Sequence, residues 1–144
     1  MRNIPFSPPD ISQAEIDEVV KVVKSGWITT GPETKLFESR IADFCHVSKA
    51  VCLSSQTSCA GLTLRILGIG PGDEVITTPI TFAASSNCVL YCGGTPVFAD
   101  VDSKTYNIDP EDIKRKITGK TKAIIPVHLA GQPCDMDEIH AIAK

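Results

Sequence analysis

Ser54, Ser55, Gln56 and Thr57 end the apolar run Val51–Leu53 and open a helical pattern. A helix begins with backbone N–H groups that have no intrahelical partner and with about half a positive charge. Ser and Thr side chains there can cap those groups. The same hydroxyls and N–H groups can also hold a phosphate. Both readings stay open on the local sequence. The number of hydroxyls exceeds what one cap needs and favours an anion.

Other polar residues fall at the ends of apolar runs. Thr77, Thr78, Pro79, Thr81 and Phe82 follow one run, and Asp100 and Asp102 follow another. His128 and the turn Ala130-Gly131-Gln132-Pro133 follow "IIPV". Asp-x-Asp at a strand end can hold a divalent metal, or can be two surface carboxylates. A single His can be a ligand or a structural side chain. "GIGPG" has the look of a dinucleotide glycine fingerprint, but it follows a helix and precedes a strand. That order makes it a helix stop and a turn.

The elements that position these residues are legible from periodicity. Ser12 and Glu15 form a capping box ahead of Ile16, Val19, Val20 and Val23 at helical spacing, with Ser25-Gly26 as the stop. A second helix follows "WITTGP", with Pro32 in its first turn and Leu36, Phe37, Ile41 and Phe44 on one side. Strands are then expected near 49–53, 74–77, 96–100 and 122–126. Helices alternate with them in "TSCAGLTLRILG", "TFAASSNCVLYCG", "DPEDIKRKIT" and "CDMDEIHAIAK". Asp109 and Asp135 are the expected caps of the last two. Strand–helix–strand alternation with short Val/Ile-rich runs predicts an α/β fold, a mostly parallel sheet with flanking helices in one domain. In such a sheet ligands bind at the C-terminal strand ends. A strand is expected to follow the last helix, so the chain reads as the N-terminal part of something longer.

The 144 residues carry 14 basic and 17 acidic side chains, for a net charge of −3 with no basic block. A nucleic-acid surface or an anionic-membrane surface is therefore not expected. No apolar run reaches the roughly 20 residues of a membrane span, and the first residues lack a signal-peptide core. A cytoplasmic location is expected. The six cysteines, at 45, 52, 59, 88, 92 and 134, form no CxxC and mostly fall within apolar patterns. They read as buried reduced thiols.

Three stretches together resemble a known family. "SGWITTGPETKLFE", the segment from Ala50 to Asp109 and "TKAIIPVHLAGQPCDMDEI" are similar, in order and over nearly the whole chain, to the DegT/DnrJ/StrS sugar-nucleotide aminotransferases. The resemblance implies an aspartate-aminotransferase-like large domain (pyridoxal-phosphate fold type I), of which residues 1–144 are the N-terminal segment and start. It implies pyridoxal 5'-phosphate as cofactor and a homodimer. The implied reaction moves an amino group, usually from glutamate, to a nucleotide-linked keto-sugar for cell-surface polysaccharide or other amino-sugar synthesis. Carried onto this chain, the phosphate cup falls on Ser55, Gln56 and Thr57. The ring-stacking aromatic falls on Phe82, and His128 is expected near the cofactor. Trp27, Thr29 and Thr30 fall on the loop near the substrate mouth.

Two departures from the family pattern stand out. Gln56 replaces a usual glycine, which matters if its φ is positive. The family's Schiff-base lysine and pyridine-nitrogen carboxylate lie downstream of the last matched motif, so the resemblance implies that this chain alone is inactive. Three alternatives remain at this level. One is a pyridoxal-phosphate sugar dehydratase of the same fold. Another is a non-catalytic truncated relative. The third is a metal-dependent glycosyl transferase using Asp100 and Asp102.

Overall fold

The computed structural model describes residues 7–144. They fall into two compact units that divide between Cys52 and Leu53, where the sequence reading expected one domain.

The first unit holds two helices. Helix α1 spans Gln13–Ser25 and α2 spans Pro32–Phe44. The capping box at the start of α1 is present: the Ser12 hydroxyl accepts from the Ala14 N–H at 3.2 Å, and Glu15 accepts from the Ser12 N–H at 2.6 Å. Gly26 ends α1 in the left-handed conformation at φ 78°, a geometry that costs glycine nothing. Pro32 opens α2, where its missing N–H is not needed. Neither helix contains a buried residue, and Val19, Val23, Phe37 and Phe44 are all exposed.

The expected strand at 49–53 is not one. These residues have no regular structure. A strand exists only through ladder partners, and the Cys52 N–H donates instead to the Glu38 carboxylate at 3.0 Å.

The second unit is the α/β body. Its order is α3 (Gln56–Ile66), β1 (Glu74–Thr77), α4 (Ala84–Tyr91), β2 (Thr95–Phe98), α5 (Pro110–Lys116), β3 (Thr121–Ile125) and α6 (Met136–Ile142). A short 3-10 turn, Leu129–Gly131, precedes α6. The strands form a parallel sheet in the order β2-β1-β3. Three of the four expected strands are thus present and parallel.

Alternation along each strand builds two cores. Val75 packs on one face with Leu64 of α3, Ile69, and Cys88 and Val89 of α4. Ile76 packs on the other with Ala99, Ile108, Ile113 of α5, Cys134 and Ile139 of α6. Both faces are covered, which explains why the strand runs are apolar throughout. The "GIGPG" segment is a helix stop and turn, with Gly68 and Gly72 at φ 78° and 93° and the Gly70 N–H donating to Asp73 at 3.0 Å. All six cysteines are free, but only Cys88 and Cys134 are buried. Cys45 is exposed, because it caps an uncovered helix rather than entering a core.

This topology has a switch. The chain leaves β1 through α4 on one face, and leaves β3 through α6 on the other. Adjacent strands whose exits diverge leave a crevice between their C-terminal ends. Here the switch point lies between β1 and β3.

Candidate functional site

Every sequence-expected cofactor residue belongs to the second unit. Phe82 follows β1 and His128 follows β3, so the two flank the switch. Helix α3 ends seven residues before β1 starts, and its eleven residues span about 16 Å. Ser55, Gln56 and Thr57 stand at its N-terminus.

The junction at α3 is a cap with donors to spare. Ser55 is the N-cap, in extended backbone at φ −164°, and its hydroxyl accepts from the Ser58 N–H at 3.1 Å. The Ser58 hydroxyl reaches Ser54 and Ser55 at 3.2 and 3.0 Å. The N–H groups of Gln56 and Thr57 and the Thr57 hydroxyl have no partner among the described residues. Helices α1, α2, α5 and α6 each carry acidic residues in the first turn, whereas α3 and α4 carry none. Two free amides, a hydroxyl and an uncompensated helix dipole are the donor set that a phosphate dianion requires. Gln56 is not among the residues with positive φ. It is the first helical residue, so its side chain does not force the backbone into a glycine-only conformation.

Phe82 is 81% exposed, in the loop that follows β1. A large aromatic left open at a strand end offers a face for a planar ring. Beside it, Thr77 and Thr78 are buried. Thr77 donates its hydroxyl to the Ile125 carbonyl at 3.1 Å, and Thr78 accepts from the Ile80 N–H at 3.2 Å. Their hydroxyls shape the floor of the switch rather than face a ligand.

His128 is exposed at the mouth, and its Nδ1 accepts from the Cys134 N–H at 3.1 Å. The turn between these two residues is held from below by Asn107, which the sequence reading did not single out. Its amide N–H2 donates to the carbonyls of Gln132 and Pro133, both at 3.1 Å, and its oxygen accepts from the Leu129 N–H at 3.0 Å. The contacts span 22 to 26 positions, so no local pattern could have revealed them.

The aspartates after β2 are committed to their own loops. Asp102 Oδ1 accepts from the N–H groups of Lys104 and Thr105 and from the Thr105 hydroxyl, and these bonds hold its carboxyl below its ordinary range. Asp100 Oδ1 accepts from the Val101 N–H at 2.8 Å. No group of three or more His, Cys, Asp or Glu side chains suited to a metal occurs among the described residues.

The sequence-expected substrate residues belong to the first unit. Trp27 and Thr29 line a small cleft of about 110 Å³ with Val22, Ser25, Gly31 and Pro32. The Trp27 side chain packs on Gly31, where an added Cβ would come within 3.1 Å of the Trp27 Cβ. Thr30 is exposed beside it.

Comparison with known proteins gives a consistent result. A profile of the DegT/DnrJ/EryC1/StrS aminotransferase family matches residues 9–144. The spore coat polysaccharide biosynthesis protein SpsC of Bacillus subtilis is 47% identical over 141 residues, which cover 98% of this chain and 36% of that protein. A sugar aminotransferase of Streptococcus pneumoniae, solved in its PMP form, is 49% identical with a TM-score of 0.91, covering 98% of this chain and 36% of that one. The NtdA protein of Bacillus subtilis, solved with bound cofactor PMP, is 37% identical with a TM-score of 0.90, over 99% of this chain and 34% of that one. The chain therefore spans about a third of the length of these relatives.

Proposed function

This chain belongs to the DegT/DnrJ/EryC1/StrS aminotransferase family, and from that premise we propose that residues 1–144 form the N-terminal segment and the start of the cofactor-binding large domain of a pyridoxal-phosphate-dependent sugar aminotransferase. Its acceptor is a nucleotide-linked keto-sugar, its amino donor is glutamate, and it works as a homodimer in the cytoplasm. The aminosugar product serves polysaccharide biosynthesis. Membership of this family displaces the reading as a metal-dependent glycosyl transferase, whose two aspartates are already engaged in their own loops. No helix among the described residues is long and apolar enough to cross a membrane.

The observation that carries the proposal is the free donor set at the start of α3, in the unit whose strands β1 and β3 are followed by Phe82 and His128. The N–H groups of Gln56 and Thr57 and the Thr57 hydroxyl hold the cofactor phosphate. Phe82 lies against the pyridine ring and fixes its plane. His128 meets a polar edge of the cofactor. When bound, the cofactor supplies an electron sink that lets an amino group leave one carbon and join another. The residues of this chain bind and orient it. Trp27, Thr29 and Thr30, in the first unit, are the residues that the family resemblance assigns to the sugar.

The test is equilibrium binding of pyridoxal phosphate by calorimetry. Thr57→Val keeps the side-chain shape and removes one donor to a charged group, an interaction worth roughly 1.5–3 kcal/mol. Binding is expected to weaken by about tenfold or more, and Phe82→Ala is expected to weaken it as well. Unchanged affinity in both variants rejects the site.

A further inference from the structure

We propose that Asn107 is a positioning residue that fixes His128 as an Nε2–H donor to an anionic oxygen of the bound cofactor. The inference rests on the reading that His128 faces that cofactor.

Asn107 is only 5% exposed, and the partners of its side chain all lie in one short stretch. Leu129 donates to it, and Gln132 and Pro133 accept from it. That stretch is not one the backbone adopts unaided. Ala130 has φ 50° and Gly131 has φ 82°. A left-handed conformation is unfavourable for a residue other than glycine, because its Cβ crowds the following carbonyl oxygen. The internal bonds of the turn are few: Gly131 N–H to the His128 carbonyl at 3.2 Å and Gln132 N–H to the Leu129 carbonyl at 3.0 Å. Three further bonds from one buried side chain hold the strained form in place.

The turn has a chemical consequence at His128. It returns the chain so that the Cys134 N–H points at Nδ1. An amide N–H can only donate, so Nδ1 must carry its lone pair. The neutral ring then has its proton on Nε2. Nε2 makes no hydrogen bond within the described residues. It is left as a donor at the C-terminal end of β3, beside the switch. Asn107 does not touch the ligand. It acts through the turn, and the turn acts through the ring tautomer.

The test uses ring ¹⁵N chemical shifts of the three histidines, recorded on the purified protein with the rings neutral. In the unsubstituted protein His128 is expected to be in the Nε2–H form, assigned by its loss in His128→Gln. Asn107→Ala is expected to mix the two tautomers and to weaken pyridoxal phosphate binding by roughly three- to tenfold, the scale of one neutral hydrogen bond. In a His128→Gln background, Asn107→Ala is expected to weaken binding no further. A general folding defect would not show that dependence. An Nδ1–H ring in the unsubstituted protein overturns the inference without any variant being made. An Asn107→Ala effect on binding that persists in full without His128 overturns it too. The phosphate cup is judged separately through Thr57→Val, so failure of the cofactor reading is distinguishable from failure of this one.

Discussion

The buried Thr77 hydroxyl, at the end of β1, donates to the Ile125 carbonyl, at the end of β3, across 3.1 Å and 48 positions of sequence. The bond ties together the two strand ends between which the chain reverses its winding. It is a side-chain bond where the backbone ladder runs out. Thr77→Val preserves shape and removes the donor, so the protein is expected to lose about 1 kcal/mol. Thr77→Ser keeps the hydroxyl and gives up one methyl group. Urea denaturation of the pair separates the two contributions. Equal stability of Thr77→Val and the unsubstituted protein would dismiss the tie.

Asp112 offers a pH-dependent test. The Asp100 N–H donates to its carboxylate at 2.6 Å and holds the carboxyl below its ordinary value of 3.8, against the opposing effect of burial and with help from Arg115. A carboxyl whose pKa falls on folding stabilises the fold above its unfolded value. That stabilisation is lost as pH drops below 3.8 and through the lower folded value. Asp112→Asn is expected to flatten this acid limb in thermal melts taken at successive pH values. Arg115 is largely exposed, so Arg115→Ala is expected to change stability by no more than about 0.5 kcal/mol. An acid limb unaltered in Asp112→Asn would assign the pH dependence elsewhere.

Gly94 joins α4 to β2 where there is no room for a side chain. An added Cβ would meet Ile69 Cγ2 at 3.0 Å, Val89 Cγ1 at 3.1 Å and the Asp73 carbonyl at 3.4 Å. Its neighbours belong to the core under α3 and α4 and have little space to retreat. Gly94→Ala is expected to cost roughly 1–3 kcal/mol by overpacking. Gly119→Ala, with nothing within 4 Å, is the control and is expected to be near neutral. Similar melting temperatures for the two variants would contradict the packing argument.

All ten lysines are exposed, including Lys122, which lies on β3 as the expected strand near 122–126 implied. None lies in the segments that flank the switch, Thr77–Phe82 and Ile125–His128. Borohydride reduction of the 144-residue polypeptide with pyridoxal phosphate is therefore expected to label several lysines partially. Lys114 is expected among the weakest, because ion pairs with Glu111 and Glu138 hold its ammonium in the protonated, non-nucleophilic form. Stoichiometric labelling of one lysine would locate a reactive amine that this geometry does not explain.

Local chemistry in the sequence determined where most elements start and what they are. Ser12, Ser55, Asp109 and Asp135 cap helices because an oxygen two or three residues ahead of a free N–H is a local arrangement. Apolar runs placed β1, β2 and β3 within a residue or two, and Phe82 and His128 follow the C-terminal ends of β1 and β3. Tertiary structure decided what depends on distant partners. Residues 49–53 have the composition of a strand and no ladder to join. Asn107 looks like any loop asparagine until residues 129–133 close over it. Whether Thr77 and Thr78 faced a ligand or the interior could not be read from their order, because both answers put a hydroxyl after an apolar run. Only the packed sheet, by bringing Ile125 beside Thr77, settled which one it was.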